Sequence, residues 1–261
     1  MGLIPNDEEM ISSAMQTSAT TNRVSHLKRE YTSSGQEKPV CHNLRTDFTK
    51  DPRGWAVENT MQDTYDVDQD GVKLILMGPK EYVRLHDAKH MPYNQSPGRG
   101  PTLNATNYML YGRVSARLKT ATDGGVITAF ILLADGGDEI DFEMIGNDLR
   151  SVQTNYFWGK LIEYNVNGAA HQIEGPELDK DFHQYTIDWT PDKIDWIVDG
   201  RVIRTKKRSE TCDPSGVCKF PSQPSRVQIG IWDGSSKPGT AEWSRGPIDV
   251  SQSHTDFLSN C

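Results

Sequence analysis

The sequence predicts an all-β protein, a sandwich of antiparallel sheets, and three stretches carry that prediction. Residues 137–146, G-D-E-I-D-F-E-M-I-G, alternate strictly, which is the period of a strand with one buried face. Residues 126–134, V-I-T-A-F-I-L-L-A, are almost continuously apolar, as a strand covered on both faces is. From His183 to Arg204 alternating segments are broken at Pro191-Asp192 and Asp199-Gly200, the punctuation of a hairpin series. The 261 residues suit one large β-domain with a tail.

In chain order, residues 1–39 are polar, Ser/Thr-rich and without periodicity, the composition of a disordered segment; the domain is expected over 40–261. The start M-G-L-I-P-N-D-E-E has neither the basic nor the apolar region of a signal peptide. Residues 72–77 and 81–85 read as strands around Gly78-Pro79. Asp66, Asp68, Asp70 and Gly71 have the spacing of a calcium loop but lack its closing Glu, so they read as a solvated acidic turn. No metal or cofactor is expected. Residues 108–119 alternate as one long strand, the first of a meander of three that carries residues 139–143 into the middle of a sheet. Trp189 and Trp196 read as core. Residues 226–234, R-V-Q-I-G-I-W-D-G, send Val227, Ile229 and Ile231 inward and Gln228, Gly230 and Trp232 to the other face. Gly230 there leaves open space, beside a Trp232 indole whose flat face offers a stacking platform.

The net charge of −8 argues against nucleic acid, whose binders present a basic face. Lys206, Lys207 and Arg208 are too few to make a nucleic-acid patch. No run of 18 apolar residues is present, so no membrane span is expected. Of the four cysteines, Cys212 and Cys218 flank a turn and are the favoured disulfide; Cys41 with Cys261 is the remaining pairing. Asn94 and Asn104 head glycosylation triplets.

The chemistry lies in residues 139–143. Glu139, Asp141 and Glu143 share one strand face with no base among them. Like charges side by side destabilise a sheet, so the row needs a use or full solvation. Glu139 and Glu143 are about 13 Å apart at Cα, close enough for inclined side chains to reach the roughly 5–6 Å of a retaining glycosidase pair. Asp141 between them makes ionisation of both costly and keeps one carboxyl protonated near neutral pH.

E-I-D-F-E resembles the catalytic strand of glycoside hydrolase family 16. D-E-I-D-F-E-M-I-G-N followed by Gln153-Thr154-Asn155 is similar to fungal Crh-type chitin–glucan transglycosylases and to plant xyloglucan endotransglycosylases. P-G-T-A-E-W-S-R-G-P-I-D-V resembles a further Crh-type segment, with Arg245 in place of a small residue and Val250 in place of Trp. The short C-terminal tail favours the fungal group. The resemblance implies a jelly roll of two antiparallel sheets with a concave substrate cleft. It implies Glu139 as nucleophile, Glu143 as acid/base and Asp141 as helper. Gln153 and Asn155 would line sugar subsites, and Glu242 and Trp243 would border the acceptor side. Phe157 and Trp158 either stack on sugar or close the core edge. The expected partners are a polysaccharide donor and an oligosaccharide acceptor, handled by a monomer outside the cell or in its wall. A glucanase working by hydrolysis and a binding module without turnover are the alternatives.

Overall fold

The computed structural model describes residues 43–50, 53–57, 61–161, 163–249 and the backbone of 257–260. The compact unit runs from Thr46 to Cys261, apart from the unit Met1–Arg45. The expected tail 1–39 lies outside the described residues, as do Cys41, Cys261 and Val250.

The apolar run forms β8 (Val126–Ala134), and the acidic alternation forms β9 (Glu139–Ile145). They pair antiparallel, with Phe130 opposite Phe142 and Ala129 opposite Glu143. On the far side of β9 lies β10 (Ser151–Phe157), and beyond it β11 (Ala169–Gln172). On the far side of β8 lies β15 (Ser225–Asp233), which arrives some 90 residues later in the chain. β6 (Thr102–Met109) and β1 (Trp55–Ala56) complete a seven-stranded sheet in the order β1-β6-β15-β8-β9-β10-β11.

The hairpin series forms as expected: β12 (His183–Trp189), β13 (Lys193–Val198) and β14 (Arg201–Lys207). With β7 (Gly112–Leu118) they make a second, four-stranded sheet in the order β14-β13-β12-β7. Smaller sheets join β16 (Phe257–Asn260), β3 (Gly71–Leu76) and β2 (Tyr65–Asp68), and pair β4 (Arg84–His86) with β5 (Pro92–Asn94). The architecture therefore has two principal antiparallel layers with two small sheets added to them.

The core lies between the principal layers, where alternate residues of both sheets interdigitate. Phe142 of β9 meets Tyr185 of β12 edge-on at 5.5 Å between ring centroids. Trp189 and Trp196 are fully buried, as the sequence predicts. Burial of one full side chain of this kind contributes about 1.5–3 kcal/mol.

Two strand assignments change. Residues 108–119 are not one strand: Tyr111 takes a left-handed φ of 61° and Gly112 one of 123°. The chain thereby leaves β6 in one sheet and enters β7 in the other. The three-strand meander is accordingly absent, because β7 belongs to the opposite layer and β15 takes the place beside β8. The strand expected over 81–85 starts only at Arg84. Asp68 and Gly71 are opposite partners that close the β2–β3 hairpin, and Lys73 Nζ pairs with Asp68. Cys212 and Cys218 are disulfide-bonded. Asn94 is buried, accepting from Arg84 Nε at 2.9 Å and donating to the Ile248 carbonyl at 3.1 Å. Asn104 Oδ1 accepts from Gln228 Nε2 at 2.7 Å. Both amides expected as glycan acceptors are thus engaged in hydrogen bonds within the fold.

Candidate active site

Ile140, Phe142 and Met144 enter the core of the sandwich, so Glu139, Asp141 and Glu143 face away from it. Glu139 and Glu143 are half-buried; Asp141 between them is buried, at 2 % exposure. The two outer acids are partly exposed on this face and the middle one is sealed.

Strand register places rows of residues across that face, because directly paired residues point the same way. One row runs Gly230, Ala129, Glu143, Gln153. The next runs Gln228, Ile131, Asp141, Asn155, and the third Arg226, Leu133, Glu139, Phe157. The structure thus brings Gln153 beside Glu143 and Asn155 beside Asp141. Phe157, left open between sugar and core, shares the face of Glu139.

Trp232 lies one row further along the same face of β15, opposite Ile127. Its indole hydrogen-bonds Glu143. Trp243, at the end of the short helix α1 (Pro238–Trp243), stacks on Trp232 with centroids 5.9 Å apart and planes at 19°. Glu242 is exposed on the same helix. Gly230 departs from expectation. It is buried, and a Cβ there would lie 3.0 Å from Thr102 Oγ1 and 3.1 Å from the Pro101 carbonyl. A side chain at this position would push against β6 by a few tenths of an ångström, and the space next to Trp232 is not a vacancy left for a sugar.

Burial pushes Glu139 up to about 7. Burial, and then the charge of Glu139, push Glu143 up to about 8, against the Trp232 hydrogen bond, which lowers it. Asp141 is raised well above the usual carboxylate range by burial and then by the charges of Glu143 and Glu139; the Arg204 guanidinium opposes this. Two buried acceptors, Asp141 Oδ1 and Asn155 Oδ1, have no hydrogen-bond donor. They belong to directly paired residues. The cluster can therefore hold one carboxylate next to protonated carboxyls at neutral pH, the state that acid-assisted displacement needs. Among the described residues no group of His, Cys, Asp or Glu is arranged to hold a metal ion.

Asp138 precedes this face and is fully buried. Its carboxylate accepts from the main-chain nitrogens of Gly159 (2.6 Å), Ser222 (2.6 Å) and Gln223 (3.0 Å). The close approach is permitted by Gly137 (φ 93°), where a Cβ would lie 2.5 Å from the Gly159 carbonyl oxygen. Sequence reading placed Gln228 on this face but missed Asp138 and Arg226. Arg226 stands at an alternate position to Gln228, Gly230 and Trp232, so the β15 alternation could have found it; nothing local marks Asp138.

A family model described as glycosyl hydrolases family 16 matches residues 57–251. Crh-like protein 2 of Aspergillus fumigatus is 45% identical over 153 residues, covering 57% of this chain and 34% of that protein. Congo red hypersensitive protein 2 of Saccharomyces cerevisiae is 39% identical over 163 residues, covering 61% and 34%. The chain therefore spans about a third of the length of these curated relatives. Among solved structures, Crh5 transglycosylase in complex with NAG superposes with a TM-score of 0.66 at 29% identity, covering 82% of this chain and 79% of that one. A Bacillus licheniformis β-glucanase superposes with a TM-score of 0.62 at 20% identity, covering 81% and 91%, and shares the jelly-roll fold. With its acid strand and its sandwich both accounted for, the chain belongs to glycosyl hydrolases family 16.

Proposed function

We propose that the chain is a retaining glycoside hydrolase/transglycosylase acting on β-linked cell-wall polysaccharide, chitin or β-glucan, and working chiefly by transfer. The observation that carries this reading is the arrangement on β9: two carboxyls open to one face, bracketing a buried third. Support also comes from the similarity to the Crh-like relatives and to the Crh5 transglycosylase.

Glu143, the more strongly raised of the two open acids, keeps its proton and gives it to the glycosidic oxygen. Glu139 ionises first and attacks the anomeric carbon. The C–O bond breaks, the leaving glycan departs as an alcohol, and a glycosyl ester remains on Glu139. Glu143, now a carboxylate, removes the proton from an acceptor hydroxyl, whose oxygen displaces Glu139 with a second inversion. Asp141 retains its proton and orients Glu139 by hydrogen bonding. Gln153 and Asn155 bind sugar hydroxyls, and the stacked Trp232 and Trp243, with Glu242 at their side, border the acceptor. Residues 40–261 make up the catalytic unit. It works as a monomer, outside the cell or in the wall, with a polysaccharide donor and an oligosaccharide acceptor.

The test is incubation with chitin or β-1,3-glucan and a fluorescent oligosaccharide acceptor. Labelled products longer than the acceptor support transfer. Shortened donor alone identifies a hydrolase. If neither product forms, or if Glu139→Gln equals the unmodified protein, the assignment is wrong.

A further inference from the structure

Behind the acid face, on the core side of the large sheet, Arg204 reaches across from the other layer. It stands on β14 opposite Trp196 of β13, with its guanidinium carbon 4.6 Å from the Trp196 ring centroid. Nη1 donates to the main-chain oxygen of Thr154 (2.8 Å) and to its hydroxyl (2.9 Å), and Nη2 donates to the Asn167 carbonyl (2.6 Å). All three acceptors are neutral, and no ion pair among the described residues includes Arg204. Thr154 lies between Gln153 and Asn155 on β10, pointing into the core while they point into the cleft. Its hydroxyl is also 3.0 Å from His171 Nε2 of β11. Trp196, beneath the guanidinium, donates its indole N–H to the main-chain oxygen of Asp141 at 2.9 Å. One side chain thus grips β10 directly, and β9 through the indole on which it rests.

We propose that Arg204 is a positioning residue for the acid face, a strut between the layers that fixes the Gln153–Asn155 segment and sets a positive charge behind the carboxyl row. The proposal deepens the glycosyl-transfer reading and rests on it. A guanidinium without an ion-pair partner, set behind the carboxyl row, acts through the sheet on Asp141, the buried middle member of that row. The groups that act on it are Asp141 of β9 and Tyr156 of β10, and it acts in turn on His171 of β11. Burial and then Arg204 hold His171 below its usual value. A neutral His171 accepts the Thr154 hydroxyl proton, and so Thr154 keeps its oxygen lone pairs directed at Arg204.

The first readout needs no turnover: carboxyl carbon-13 NMR titration of the Glu139/Asp141/Glu143 cluster in the unmodified chain and in Arg204→Met, Arg204→Gln and Arg204→Lys. With the cation removed, the macroscopic midpoints of the cluster should rise by about half a unit or more. Lys, which keeps the charge, should hold them near the original values. If a neutral variant that folds, as judged by cooperative thermal unfolding, leaves the midpoints in place, the charge role is overturned. If Lys shifts them as far as Gln does, the charge is equally not the cause. The second readout is affinity for chitotetraose and laminaritetraose by tryptophan fluorescence. Arg204→Lys loses the two-pronged grip on Thr154 and should bind several-fold more weakly; unchanged affinity overturns the positioning role. A wrong glycosyl-transfer reading would show itself separately, as an unmodified protein that transfers nothing but whose carboxyl midpoints still move with Arg204.

Discussion

Asp138 Oδ2 accepts the main-chain N–H of Ser222 at 2.6 Å, joining the residue before the acid strand to the loop that leads into β15. The same carboxylate holds Gly159 and Gln223. It thereby ties the end of β9 that carries Glu139 to the loop before β15, the strand that carries Trp232 two places away in the sheet. Replacing it strands several buried donors, each costing about 1–3 kcal/mol without strict additivity. Asp138→Ala should lower the unfolding free energy by about 3 kcal/mol in urea titration. Asp138→Asn should cost less, since one acceptor oxygen survives.

The acid pair should give a bell-shaped pH dependence. Glu139 must be ionised and Glu143 protonated, so kcat/KM should peak near pH 7–8, between the values of about 7 and about 8, and fall on both sides. Glu139→Gln and Glu143→Gln should each lower kcat by at least about 100-fold, measured with an oligosaccharide donor, while leaving the fold intact.

The raised acids also make stability depend on pH. The folded chain binds protons at Glu139 and Glu143 that the unfolded chain has released, so their contribution is complete below about pH 4.5 and is lost as pH rises towards 7–8. The melting temperature should therefore fall between pH 5 and pH 8. In the double variant Glu139→Gln/Glu143→Gln the fall should be smaller, and at pH 8 the variant should melt higher by a few degrees, about 1–2 kcal/mol. Scanning calorimetry across that range checks it.

Trp232 has two separable roles. Its hydrogen bond lowers Glu143, so Trp232→Phe should raise that group and move the alkaline limb of the rate profile to higher pH while keeping much of the stacking. Trp232→Ala should also lose the stack with Trp243 and raise KM about 5-fold, equivalent to the roughly 1 kcal/mol of an aromatic contact.

Much of the site is legible in the chain because a strand's two faces are written in its alternation. Ile140, Phe142 and Met144 against Glu139, Asp141 and Glu143 assign core and cleft without any coordinates, since apolar side chains leave water and neighbouring residues of a strand face opposite ways. The Trp189 and Trp196 core and the Cys212–Cys218 pairing follow from equally local signals. What lies beside each strand is not written locally. The turn at Tyr111 has no proline to announce it, and the alternation continues through it, so two strands of different sheets read as one. Gly230 reads as open space, whereas Thr102 presses against it. Nothing local marks Arg204 as more than the end of the hairpin series. Sheet order decides these matters: it places β15 against β8 and sets β14 across the core from β10, through contacts between residues far apart in the chain. Sequence alone determined which side chains of β9 face away from the core, and the packing of the two layers decided which partners hold them there and how strongly each acid keeps its proton.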